Sequence, residues 1–290
     1  MSGSRCGVVA GGCAAYHASR IMDPENPVER PRSRAIYLLP NLFTTGCLFS
    51  GFYAIVAAID DNYGRAGFAV FVAMLFDTLD GRVARLTRTE SAFGKEYDSL
   101  ADMVSFGVAP AIVAYQWGVA RLAEYGLVWG RLGWLAAFTY AACAALRLAR
   151  FNTRTGQDKG FFEGLPSPSA AAVVSGFIWS ASEWREPGLP GLILALLVTF
   201  CAGALMVSAF GYNSFKKLNS GGPVRFATFL LVPLGFVLIA ALIVATGPAT
   251  ALLVIFGFYA LSGPVFWCIR RLGRDKRRST ESGGHGGADG

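Results

Sequence analysis

Histidine is nearly missing: the 290 residues hold two, His17 and His285, one in each tail. A zinc centre or a histidine base therefore has no material in the body of the chain. Charge is scarce as well. Asp, Glu, Lys and Arg make up 16% of residues against 53% hydrophobic ones, and the mean hydropathy is positive. No soluble domain of this size could bury that surplus, so a water-soluble enzyme is excluded and an integral membrane protein is implied. The six cysteines (Cys6, Cys13, Cys47, Cys143, Cys201, Cys268) show no metal-binding or redox spacing. Most lie in apolar runs, which favours free small hydrophobes over a disulfide framework. Strand-like alternation is absent, and the apolar runs are too long for strands. The net charge of +7 is unevenly spread, so a nucleic-acid face, and with it a nucleic-acid partner, is not expected.

What the chain does have is apolar length. Eight candidate spans follow one another: Ile36–Ile59, Ala66–Leu86, Tyr97–Val119, Leu132–Phe151, Pro168–Trp184, Leu189–Phe210, Val224–Thr246 and Ala249–Ile269. Several contain Gly or Pro, which membrane helices tolerate. The expected fold is an all-α polytopic membrane helix bundle of about eight transmembrane helices. Residues 1–27, rich in Gly, Ala and Ser, are expected to be a disordered cytoplasmic tail; the Val8–Ala15 run is too short and Gly-rich for a signal peptide. Residues 28–269 form the membrane domain, opening on a basic, Pro-interrupted juxtamembrane segment. Residues 270–290 are expected to be a basic, disordered cytoplasmic tail.

Orientation follows from the basic residues. With the amino terminus inside, outer segments carry only Arg65, Arg121, Arg131 and Arg185 of the 26 Lys and Arg. That imbalance puts both termini in the cytoplasm. The cell (inner) membrane is the expected location, with the functional site at its cytoplasmic face.

Against this apolar background four aspartates stand out: Asp77, Asp80, Asp98 and Asp102. On a helix, Asp77, Asp80, Gly81, Ala84 and Arg85 fall within an arc of roughly 140°. Asp98 and Asp102, four apart, share a face of the next helix. The short polar break Thr87–Ser91 would let the two helices run antiparallel and aim both acidic faces at one point. Carboxylates at that depth are expensive and default to function. Four of them without His or Cys make a hard oxygen site for a divalent cation, Mg²⁺ or Mn²⁺. Such ions could hold both oxygens of a displacement at phosphorus. Gly81 and Ala84 would let a bulky ligand approach the helix, and Arg85 offers a donor fork to phosphate.

These residues carry a resemblance. The pattern Asp77-x₂-Asp80-Gly81-x₂-Ala84-Arg85-x₈-Gly94-x₃-Asp98-x₃-Asp102 matches in full the signature of the CDP-alcohol phosphotransferase family. Its members are membrane enzymes that move a substituted phosphate from a CDP-linked donor to an alcohol, releasing CMP. The resemblance implies metal ligation by Asp77, Asp80, Asp98 and Asp102, with Asp102 also the base on the attacking hydroxyl. It implies a CDP site lined by Gly81, Ala84, Arg85 and Gly94. Further stretches look like the phosphatidylserine synthase branch: Leu39-Pro-Asn-Leu-Phe-Thr-Thr, Arg147-Leu-Ala-Arg-Phe-Asn152, Gly164-Leu-Pro-Ser-Pro168, the Asp98–Gly107 run and Ser214-Phe-Lys216. Ser208-Ala-Phe-Gly-Tyr212 departs from the branch, which has a more polar residue after the serine. The implied donor is CDP-diacylglycerol, the acceptor L-serine, the surroundings membrane lipid and the assembly a homodimer.

The remaining polar residues fit that frame. Asn41 and Thr44, three apart, offer uncharged contacts to the CDP-diacylglycerol head. Arg147 and Arg150 share a helix face and could meet a phosphate or the acceptor's carboxylate, with Ser105 nearby in sequence to the last aspartate. Two alternatives stay open: a family member using glycerol-3-phosphate or an inositol phosphate, and a cation- or proton-coupled transporter, since intramembrane acids also mark ion paths.

Overall fold

The computed structural model describes residues 34–87, 91–153, 162–182, 187–208, 210–212 and 242–283. Their main elements are seven helices: α1 (Arg34–Ile59), α2 (Tyr63–Thr87), α3 (Ala92–Tyr125), α4 (Leu127–Thr153), α5 (Ser167–Ser182), α6 (Leu189–Val207) and α7 (Pro248–Gly283). The fold is an all-α membrane helix bundle. Among the described residues five stretches are long and apolar enough to cross a bilayer: Pro40–Ile59, Ala92–Tyr125, Leu127–Thr153, Leu189–Val207 and Pro248–Cys268. Helix α2 is long but carries Arg65, Asp77, Asp80, Arg82 and Arg85, and α5 has only 16 residues. Both nevertheless occupy the places of expected spans. The expected span Val224–Thr246 lies outside the described residues except for a final helical turn at 242–246, and so does the tail 1–27.

Two expectations need correction. The basic run from Arg270, expected to be disordered, continues α7 as helix to Gly283. A helix already nucleated in the membrane extends readily into Arg, Lys and Leu, all good helix formers. Strands, expected nowhere, occur once among the described residues: β1 (Phe162–Glu163) pairs antiparallel with β2 (Gly211–Tyr212). Two residues per strand are too few for alternation to show.

Small residues decide how closely the helices approach. A Cβ on Gly67 of α2 would lie 2.6 Å from the Trp179 Cβ of α5, and one on Gly203 of α6 would lie 3.0 Å from the Tyr140 Cα of α4. Helix α5, rich in Ala and Ser, is buried along most of its length and packs against α2, α6 and α7. A second apolar cluster (Cys47, Ala54, Ala69, Val70, Ala73, Phe106, Ala109, Ala171) joins α1, α2, α3 and α5. Its member Cys47 lies within electrostatic range of Asp77, Asp80 and Asp102.

Helix α3 is not regular. It is α-helical over Ala92–Asp102 and Ala109–Ala114, π-helical over Met103–Val108 and Tyr115–Val119, and tightens to 3₁₀ at Ala120–Tyr125. Pro110 accounts for part of this. Having no N–H, it leaves the Phe106 carbonyl without its usual helical donor. The hydroxyl of the fully buried Tyr140 donates to that carbonyl at 3.0 Å, tying α4 to α3.

At the other end of α1, the turn into α2 places Asp61 in the left-handed region (φ 57°). The Tyr63 hydroxyl lies 2.7 Å from Asp61 Oδ1 and 3.1 Å from the Gln116 carbonyl, bracing this turn against α3. Burial together with the Asp61 carboxylate pushes the Tyr63 hydroxyl well above the ordinary tyrosine range.

Candidate active site

Helix α2 supplies Asp77 and Asp80, and α3 supplies Asp98 and Asp102. The start of α3 is set by Ser91, which adopts extended backbone (φ −120°, ψ 153°) and accepts a hydrogen bond from the Gly94 N–H at 2.9 Å. That is an ordinary N-cap, and it fixes the phase at which Asp98 and Asp102 emerge. Helix α1 then clamps α3 beneath the acids. Ser105 donates to the Cys47 carbonyl at 3.0 Å, and a Cβ on Gly51 would meet Ser105 Cα at 2.7 Å. Only glycine permits this approach.

The result is convergence. Asp77, Asp98 and Asp102 are half-buried, and their carboxylate oxygens lie within 4.8 Å of one another. Asp102 Oδ1 is buried and has no hydrogen-bond partner. The Arg121–Glu124 ion pair, at 3.9 Å, is remote from this cluster in sequence. A buried carboxylate oxygen without a donor, beside two further carboxylates, asks for a cation. The donor set is all hard oxygen, so the residues fit Mg²⁺ or Mn²⁺.

Asp80 stands apart from these three. It is 5% exposed, and its Oδ2 accepts the Thr44 hydroxyl of α1 at 3.0 Å, although it remains within electrostatic range of Asp98 and Asp102. Gly81 is exposed, with no atom within 4 Å of where a Cβ would be, so the face expected to receive the CDP group is open. Ala84 is half-buried on the same helix. Arg85 is exposed, and its Nε donates to the Gly81 carbonyl at 2.7 Å. Gly94 sits beside Asn41: an added Cβ would lie 3.6 Å from Asn41 Oδ1 and 3.1 Å from Ser91 Oγ. The Thr45 and Tyr97 hydroxyls, 3.0 Å apart, close the same α1–α3 seam.

On the opposite side stands Arg147 of α4. It is within electrostatic range of Asp102, donates from Nη1 to Ser167 Oγ at 2.8 Å, and has a buried Nε without a hydrogen-bond partner. Arg150, half-buried, lies one turn further along α4, where Asn152 donates to Ser99 Oγ at 2.9 Å. Ser105, one turn beyond Asp102, is fully buried, and its hydroxyl donates to the Cys47 carbonyl. Ser167, which holds Arg147, was missed as a separate residue. Its membership of the Gly164–Pro168 stretch was the available signal.

The profile of the CDP-alcohol phosphatidyltransferase family matches residues 37–259. A CDP-diacylglycerol–serine O-phosphatidyltransferase of Helicobacter pylori is 37% identical over 235 residues, covering 80% of this chain and 92% of the relative. One of the same name from Saccharomyces cerevisiae is 41% identical over 187 residues, 55% of this chain and 64% of the relative. An archaetidylserine synthase of Methanothermobacter thermautotrophicus is 36% identical over 176 residues, 60% and 69% respectively.

Proposed function

The chain belongs to the CDP-alcohol phosphatidyltransferase family, and we propose that within it the acceptor is L-serine, giving phosphatidylserine and CMP from CDP-diacylglycerol. One observation carries the chemistry: three carboxylates from two helices within 4.8 Å of one another, one with a buried oxygen that has no donor. The acceptor rests on the relatives. The bacterial and yeast relatives both act on CDP-diacylglycerol and serine by name, and the archaeal one, an archaetidylserine synthase, keeps serine and changes only the lipid-linked group.

The residues divide the work as follows. Asp77, Asp98 and Asp102, joined by Asp80, would hold Mg²⁺ or Mn²⁺, which when bound would polarise the diphosphate and offset charge on the leaving CMP. Gly81 and the open face around it admit the nucleotide, with Ala84, Arg85, Gly94 and Asn41 around it. Asp102 takes the proton from the serine hydroxyl as its oxygen forms a bond to the lipid-bearing phosphorus and the bond to CMP breaks. Arg147, held by Ser167, and Arg150 supply positive charge for the serine carboxylate. Fixing both reactants beside the half-buried carboxylates contributes orientation as well. No covalent enzyme intermediate is required.

The reading extends to the whole chain: residues 28–269 as the membrane domain with about eight spans, both termini and the site facing the cytoplasm of the inner membrane, and a homodimer as the working form. The test is an assay of purified protein in mixed micelles with CDP-diacylglycerol and either L-serine, glycerol-3-phosphate or an inositol phosphate. CMP release with serine, lost on chelation and restored by Mg²⁺ or Mn²⁺, is expected. Asp102→Asn should lower it by at least ~10²-fold, the usual range for a general base, while still inserting into membranes. Release with glycerol-3-phosphate but not serine overturns the acceptor. Substrate-independent ion flux without CMP release overturns the enzyme.

A further inference from the structure

We propose that Thr44 is a positioning residue for Asp80, and through it for the cation that the acidic cluster would take. The spacing of Thr44 from Asn41 suggests a nucleotide contact instead. The proposal rests on the metal reading above and adds to it a residue from a third helix.

Asp77 and Asp80 are three apart on α2, so helical geometry alone would aim both at the same point. Asp77 reaches the oxygens of Asp98 and Asp102, whereas Asp80 is not among the three that converge within 4.8 Å. The difference lies on α1. Thr44 is 4% exposed and its hydroxyl has two acceptors in reach, the Pro40 carbonyl at 3.2 Å and Asp80 Oδ2 at 3.0 Å. A hydroxyl carries one hydrogen. In a helix the Pro40 carbonyl is served by the backbone N–H four residues on, so it does not depend on that hydrogen. Asp80, 5% exposed, does: a carboxylate that buried needs a donor or a cation.

Thr44 therefore holds Oδ2 of Asp80 from a neighbouring helix, where the other donor in reach is the backbone N–H of Gly81 on α2 itself. A ligating carboxylate that is itself hydrogen-bonded is oriented before the ion arrives, and loss of such a partner costs about 10–100-fold in metal affinity or activity. Valine at 44 keeps the shape of threonine and removes only the donor.

The experiment uses the full chain in detergent, titrated with Mn²⁺ and followed by the spin-resonance signal of the free ion. Steady-state assays with CDP-diacylglycerol and serine accompany it at fixed and varied Mn²⁺. Thr44→Val should bind Mn²⁺ at least ~tenfold more weakly, with a matching fall in kcat at fixed Mn²⁺ and an unchanged KM for CDP-diacylglycerol. Thr44→Ser should restore both. Thr44→Cys, a weaker donor of similar size, is carried in case Val disturbs packing and should fall between the two. Wild-type Mn²⁺ affinity in Thr44→Val overturns the proposal, as does a raised KM with affinity unchanged, which would make Thr44 the nucleotide contact. If the wild-type chain takes up no Mn²⁺, the metal reading and this proposal fall together. If it does and Thr44→Val matches it, only the role of Thr44 falls.

Discussion

A glycine at position 81 has little to do with packing. Nothing stands within 4 Å of the place a side chain would start, in contrast to Gly51, Gly67 and Gly133, each pressed against a neighbouring helix. Replacing Gly81 by leucine should therefore leave the protein folded, and the loss of a mid-helix glycine should even favour the helix by roughly 0.5–1 kcal/mol. The expected cost is at the substrate: a raised KM for CDP-diacylglycerol with Mn²⁺ affinity unchanged. Equal KM values for Gly81→Leu and wild type would show that no ligand uses this face. At this scale the four aspartates were legible in the sequence because charge is rare in apolar runs and helical spacing is simple. The hydrogen bonds of Thr44 to Asp80 and of Ser167 to Arg147 were not, since bonds between residues 36 or 20 positions apart leave no local pattern.

Among the elements, the contact between α1 and α3 sets the geometry of the site, although α1 contributes none of its acids. Their contact depends on Gly51, where a Cβ would press on the Ser105 backbone, and on the Ser105–Cys47 hydrogen bond. Gly51→Ala should push the helices apart at a cost of ~1–3 kcal/mol, the usual range for overpacking. It should lower the thermal midpoint and weaken Mn²⁺ binding together, although residue 51 is no ligand. A lower midpoint with full metal affinity would show that the acids are positioned from elsewhere. The helices themselves were visible as apolar runs, and their ends moved by only a few residues. Two features escaped. The continuation of α7 to Gly283 crosses from apolar to basic composition. The β1–β2 pair is stabilised by partners rather than by its own residues: Gly164, at φ 87°, donates to the Phe210 carbonyl at 2.9 Å, and Leu165 donates to that of Leu205 at 3.0 Å.

For the whole molecule, the arrangement of basic residues and the position of the acids should agree. If both ends face the cytoplasm, the α1–α2 turn at Asp60 and Asp61 lies outside and the C-terminal end of α7 lies inside. In a chain freed of native cysteines, Asp60→Cys should react with an impermeant thiol reagent in intact spheroplasts, and Ser282→Cys only after lysis. The reverse pattern would put the carboxylates on the outer side, away from cytosolic serine. Composition alone was enough to identify a membrane protein. The apolar run Ala66–Leu86 also marked α2, although its five charges keep the helix below the apolar composition of the other long helices.

The wide turns of α3 have a consequence for reading any such helix from its letters. Each π-helical turn takes in an extra residue, so the chain slips in phase by about one residue's rotation, roughly 100°, without lengthening the rod in proportion. With Met103–Val108 beginning immediately after Asp102, the acidic end and the Ala-rich end of one continuous helix keep separate clocks. One end can look toward water while the other looks inward, and a single helical wheel drawn through all 34 residues of Ala92–Tyr125 would blur both faces into one.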